Sequence, residues 1–153
     1  MILDALYLFD TAAAITASAT VQASTNVLDL GAHRDMGIGD NPSLKLLVQV
    51  EEAFTTTNSA TLGVALQGST NNTNWTTMLS SPQSTMTPGT LIAGARLFEV
   101  DVPRPAPNEA IPQYLRILYT ANVGVFSTGS ITAAIVIDRQ DWVSYPAGIN
   151  VSN

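Results

Sequence analysis

The sequence predicts an all-β protein, a jelly-roll-like antiparallel β-sandwich carrying an extended N-terminal arm. Three observations lead there. Apolar and polar residues alternate with period two through residues 15–23, 44–51, 61–66, 114–121 and 131–138, the repeat of a strand with one buried face. Clusters of Gly, Pro and Asn interrupt these stretches at short intervals, as between the strands of sandwiches and jelly rolls. Charged residues make up only 12% of the chain, about half the usual share, and Ser, Thr, Asn and Gln replace them. With 153 residues the chain fits one domain, 1–153, and buries roughly two thirds of its unfolded surface.

Residues 2–9 are apolar on both faces of a strand, yet Ile2, Leu6, Phe9 and Ala13 also share a helical stripe, so periodicity leaves their type open. We read residues 1–14 as an extended arm. In 15–23, Ile15, Ala17, Ala19, Val21 and Ala23 point inward; a helix would scatter the alanines and leave Ser and Thr competing for its backbone. Residues 24–26 turn, and 27–30 form a short strand. Residues 31–42, GAHRDMGIGDNP, hold three glycines, a proline and the single histidine, and read as a loop. From 44 to 51, Leu44, Leu46, Val48 and Val50 share the face opposite Lys45, Leu47, Gln49 and Glu51.

Residues 61–66 bury Leu62, Val64 and Leu66, and the Asn-rich turn between Gly68 and Trp75 reverses the chain so that 76–79 returns as a hairpin. Residues 80–89, with Pro82 and Pro88, form a long turn, and 91–102 reads as one strand broken at Gly94. Pro103, Pro105, Pro107 and Pro112 lack the N–H that a central sheet position needs, so 103–113 is a stiff surface connection. Residues 114–121 put Leu115, Ile117 and Tyr119 on one face, and 122–129 is a hairpin loop. In 131–138, Ile131, Ala133, Ile135 and Ile137 point inward, with Ala134 and Val136 on the other face. A strand apolar on both faces is covered on both, here by the arm or by a second subunit. Residues 141–153 are a tail bearing Trp142 and Tyr145.

The net charge of −6 arises from twelve acids and six scattered bases, whereas phosphate neutralisation needs clustered Lys and Arg. No direct nucleic-acid contact is expected. Without cysteine there is no disulfide, thiolate metal site or cysteine nucleophile. Asp4 and Asp10 interrupt the first apolar run and no basic segment precedes it, so a signal peptide is not expected, and no 18-residue apolar span suggests a membrane helix. Synthesis in the cytoplasm is the expectation.

The candidates for chemistry are thin. His33 lies among Asp29, Asp35 and Asp40, on paper a base with an orienting carboxylate, but a solvated turn explains them better and zinc would need more His or Cys. Gly37-Ile38-Gly39 lacks the rest of a phosphate loop, and Ser80, Ser81 and Ser84 lack a nucleophile elbow. Glu51 and Glu52, adjacent on a strand, face opposite ways. We therefore expect no catalytic residue, cofactor or metal. Trp75 with Asn71, Asn72 and Asn74 suggests the rival reading, a carbohydrate- or receptor-binding sandwich, against a simpler role as an aromatic closing the hairpin.

Met1-Ile2-Leu3-Asp4-Ala5-Leu6, then Val27-Leu28-Asp29-Leu30-Gly31 with Arg34-Asp35-Met36-Gly37-Ile38-Gly39-Asp40, then Leu66-Gln67-Gly68-Ser69 reaching Trp75, carry a resemblance. So do Tyr114-Leu115-Arg116-Ile117 and Gly129-Ser130-Ile131-Thr132-Ala133, in the same order. Together they resemble the capsid cement or decoration proteins of tailed, podophage-type bacteriophages, from residue 1 to about residue 140. The resemblance implies a jelly-roll-like fold, synthesis in the cytoplasm of a bacterial host, no enzymatic activity, self-association as a dimer or trimer, and docking on the outer capsid surface of the virion across joints between major capsid subunits.

Under that implication the surfaces expected to touch another copy or the shell are Ile2, Leu3, Leu6, Tyr7 and Phe9 of the arm, too apolar to remain in water, and Pro103, Pro105 and Pro107, which make a stiff reach with little entropy to lose. Ala134 and Val136 of the last strand, and Trp142 and Tyr145 of the tail, complete the set.

Overall fold

Residues 5–15, 21–33, 44–81 and 86–137 are described by the structure, a computed structural model. A 3-10 turn, Ala5–Tyr7, precedes β1 (Leu8–Ala14), β2 (Val21–Ala23), β3 (Leu28–Asp29), β4 (Leu44–Thr56) and β5 (Thr61–Ser69). β6 (Thr76–Ser80), β7 (Arg96–Asp101), β8 (Tyr114–Asn122) and β9 (Phe126–Ile137) follow. One antiparallel sheet has the order β1-β9-β4-β7 and the other β2-β8-β5-β6, with β3 added beside β8. First strand beside last, and chain crossings between sheets at nearly every connection, make this the strand order of a jelly roll, an all-β sandwich.

Period-two alternation builds the core between the sheets. β4 contributes Leu46, Val48 and Val50, β5 Leu62, Val64 and Leu66, β8 Leu115, Ile117 and Tyr119, and β9 Ile131, Ala133 and Ile135, all buried in one cluster. The β5–β6 hairpin forms as the Asn-rich turn requires, pairing Leu66 with Leu79 and Gly68 with Thr76. Phe54 and Phe126 meet edge to face with centroids 4.8 Å apart. Gly129 lies against that pair at φ +139°, where a Cβ would fall 2.4 Å from the Phe54 ring.

Several expectations are corrected. The arm is not free: Leu8–Ala14 is a strand at the edge of the first sheet, paired with β9. Its pattern looked aperiodic because two register shifts, between Leu8 and Asp10 and between Asp10 and Ala13, reset the phase, with Ala12 at φ +46°. Consecutive residues Phe9 and Asp10 are thus both buried. Of residues 15–23, only Val21–Ala23 is strand among the described residues. Its phase is opposite to the one expected, since Val21 and Ala23 are exposed and Gln22 is half-buried. The stretch 91–102 contracts to β7, preceded by a turn in which Gly94 takes φ +83°. Residues 122–129 are not a hairpin loop, because β8 and β9 belong to different sheets. Ile137, expected inward, is 66% exposed where β9 ends.

Asp10 is the buried charge that links the sheets. Its Oδ2 accepts the Tyr119 hydroxyl at 2.7 Å and its Oδ1 accepts the Thr25 N–H at 2.8 Å. Burial, reinforced by the Asp10 charge and this hydrogen bond, pushes the Tyr119 phenol far above its ordinary range.

Candidate functional site

Registers fix which loops share an end of the sandwich. Leu44 faces Ile137, Lys45 faces Asp101, and Ser69 faces Tyr114, so the starts of β4 and β8 and the ends of β5, β7 and β9 lie together. The proline connection crosses that end from β7 to β8 and is anchored at each side. Val102 donates its N–H to Leu44, and Gln113 donates its own to Ser69, at 3.0 and 2.9 Å. The Ala5–Tyr7 turn enters at the same end, because Leu8 opposes Ala134 near the close of β9. The turn and the start of the connection stand on opposite edges of a four-stranded sheet, three strand spacings or roughly 14 Å apart.

Exposed apolar side chains collect here. Leu6 is 79% exposed, Tyr7 and Ile111 are about two fifths exposed, and Ile137 ends β9 beside them in the fold. Among the connection's prolines, Pro107 is exposed while Pro103 and Pro105 are half-buried. Glu109 donates its N–H to the Ala106 carbonyl, so the connection contains a tight turn and is not fully extended.

Other expected contact residues are placed elsewhere. Phe9 is fully buried in the main core, and its assignment to an outer contact is corrected. Ala134 and Val136 are buried too, in a small second cluster with Leu47 on the outer side of the first sheet, against which Leu8 packs. Of the two covers anticipated for that face, the chain's own N-terminal portion supplies one. Ile2, Leu3, Trp142 and Tyr145 lie outside the described residues.

The residues weighed for chemistry are not assembled into a catalytic group among the described residues. His33 is exposed and its Nδ1 donates to the Ile111 carbonyl at 2.9 Å, a clip between loop and connection. The nearby carboxylate of Asp29 is engaged by the Gly31 N–H and the Gln113 side chain. Asp35, Asp40, Gly37, Gly39 and Ser84 lie outside the described residues. Ser81 is buried, its Oγ accepting the Val64 N–H. No group of three or more His, Asp or Glu among the described residues is arranged to hold a metal ion. Nor is any described helix long and apolar enough to cross a membrane.

Trp75 is half-buried and does not close the hairpin as a core residue. The Arg116 guanidinium lies 4.1 Å from its ring centroid, held by a hydrogen bond from Nε to Gln67 Oε1, and Gln67 in turn donates to Thr77. One face of the indole is therefore occupied. The motif that sequence reasoning missed is this stack: Gln67 and Arg116 are directly opposed in the β5–β8 register, a pairing no short-range pattern announces.

A family model described as Bbp16 matches residues 9–135. That interval runs from inside β1 almost to the end of β9 and so takes in all nine strands in whole or part. No curated protein matches the chain. The match covers most of the length, and the chain belongs to the Bbp16 family, whose name suggests a phage-related protein.

Proposed function

We propose that the protein is a structural virion component, a cement or decoration protein that docks on the outer surface of an icosahedral phage capsid and strengthens contacts between major capsid subunits. The observation that carries this reading is the proline end. It gathers an apolar N-terminal turn, a pinned proline connection, Ile111 and Ile137 at one pole of a sandwich. Apolar side chains presented on a stiff frame lose little freedom on docking. On a repeating lattice, moderate contacts by linked copies add through effective concentration. Low charge suits a surface meant to be covered. The reading assigns the chain no catalysis and no cofactor.

The test is reconstitution on shells lacking the protein. The double variant Leu6→Asp/Tyr7→Asp and the single variant Ile111→Asp are expected to lower occupancy in co-sedimentation at least fivefold, with the β-rich circular dichroism spectrum intact. Decorated shells should also withstand higher temperature than bare ones. Full occupancy by all variants would refute docking through this end. Truncation must stop at residue 7, since deleting Phe9 would open the core.

A further inference from the structure

The same end contains a cleft of about 210 Å³ between the β5–β6 turn and the proline connection. Met78, Pro105 and Pro112 line it with apolar surface, and Asn74, Thr76 and Glu109 with polar atoms. Cavities of about 150 Å³ already admit a benzene ring, so a planar polar group on an aliphatic stem has room. The walls are fixed by packing and hydrogen bonds. Gly68 has no side chain, and a Cβ there would lie only 2.8 Å from Met78 Sδ and 2.9 Å from Pro112 Cβ, so its absence lets the connection close on the hairpin. Asn71 Oδ1 accepts the Thr73 and Asn74 N–H groups at 3.0 and 2.9 Å, which sets where Asn74 sits.

We propose that this cleft receives an arginine side chain presented by the shell. The chemistry follows from the lining. The Glu109 carboxylate only accepts, the Asn74 amide and Thr76 hydroxyl can accept as well as donate, and a guanidinium is a planar fork of donors that can serve all three. The aliphatic stem of the arginine lies along Met78 and the proline rings, as such stems do on apolar surface. Glu109 has no ion-pair partner among the described residues, in a chain of net charge −6. A sugar fits less well: no aromatic ring lines the cleft, and neighbouring Trp75 stacks under Arg116. The source of the arginine rests on the docking reading, whereas the cleft's ligand class does not.

The experiment is a nuclear magnetic resonance titration of the full chain with N-acetyl-arginine-methylamide, with N-acetylglucosamine as the competing probe. Saturable, millimolar-range shifts are expected at the amides of Thr70, Asn74, Glu109 and Ala110 with the arginine probe alone. Glu109→Gln should weaken binding about two- to fivefold, the range of a solvent-exposed ion pair. Ala110→Phe, which fills the cleft from an exposed position, should abolish it. No localised shift, shifts unaltered by both variants, or shifts from the sugar in place of the arginine probe would each overturn the proposal. Probe binding combined with full shell occupancy by the variants of Leu6, Tyr7 and Ile111 would uphold the ligand class and refute docking through the proline end.

Discussion

Replacing Tyr119 by Phe removes one hydroxyl from the interior and leaves the ring volume in place. The partner left behind is the Asp10 carboxylate, 1% exposed, which among the described residues keeps only the Thr25 N–H. A hydrogen bond to a charged group is worth about 1.5–3 kcal/mol, and a buried charge deprived of a donor loses the upper part of that range. We expect a loss of about 2–3 kcal/mol at pH 7, read as a lower urea midpoint with an unchanged m-value. Alkaline pH supplies a second readout. The folded Tyr119 phenol ionises far less readily than in the unfolded chain, where its pKa is about 10. Its contribution is fully present below pH 10 and is lost as pH rises above it, because the unfolded chain then releases a proton that the folded one keeps. The wild-type chain should lose about 1.4 kcal/mol per pH unit above pH 10 beyond whatever Tyr119→Phe loses. Equal stability at pH 7, or parallel curves above pH 10, would refute the claim that this hydrogen bond holds the two sheets together.

Gly129→Ala is expected to cost about 2–4 kcal/mol, since it adds a methyl group 2.4 Å from the Phe54 ring at a backbone angle that side chains rarely adopt. Thermal unfolding measures it, and pairing it with Phe54→Leu should recover part of the loss. Trp75→Ala should cost about 0.5–1 kcal/mol through the lost Arg116 stack, with urea unfolding as the assay. A change of several kcal/mol would show that the indole serves as core.

The fold class was legible because one-sided burial writes period two directly into β4, β5 and β8. The chain reads Leu62, Val64, Leu66 and then Leu115, Ile117, Tyr119, and those residues are the core. β1 was not legible, and bulges are the reason. Each shift reverses which residues face inward, so a strand with two of them shows the mixed pattern of an arm. The candidate site was half legible. Proline spacing announced a stiff surface connection, and the N-terminal apolar residues announced a surface needing cover. That Phe9 goes inward while Leu6 and Tyr7 stay out depends on where the turn ends and pairing begins, which composition does not encode.

Alternation says which residues are buried, but not in which sheet, and the step from β8 to β9 shows the consequence. Two strongly alternating strands joined by a few residues containing Val123 and Gly124 look like a hairpin. A hairpin would have laid β9 beside β8 and left β1 without its partner. Instead Val123 takes φ +67°, uncommon for a β-branched residue, and Gly124 packs so near Asn58 that a Cβ would lie 2.8 Å from the Asn58 Cβ. The chain is thereby turned across the core to the opposite sheet, where Thr56 faces Phe126. The same crossing, repeated at the other pole between β7 and β8, needs a longer span and uses the proline connection. The two poles are closed differently: at the Val123 pole the short β8–β9 step is joined by the β6–β7 step, whose Met86 and Leu91 carbonyls accept the Leu62 and Phe54 N–H groups, while the connection 103–113 spans the other pole, anchored beside Leu44 and Ser69. At the proline pole the exposed turn, Ile111 and the cleft beside Glu109 are found together, and the proposed attachment rests on that grouping rather than on the length of any one crossing.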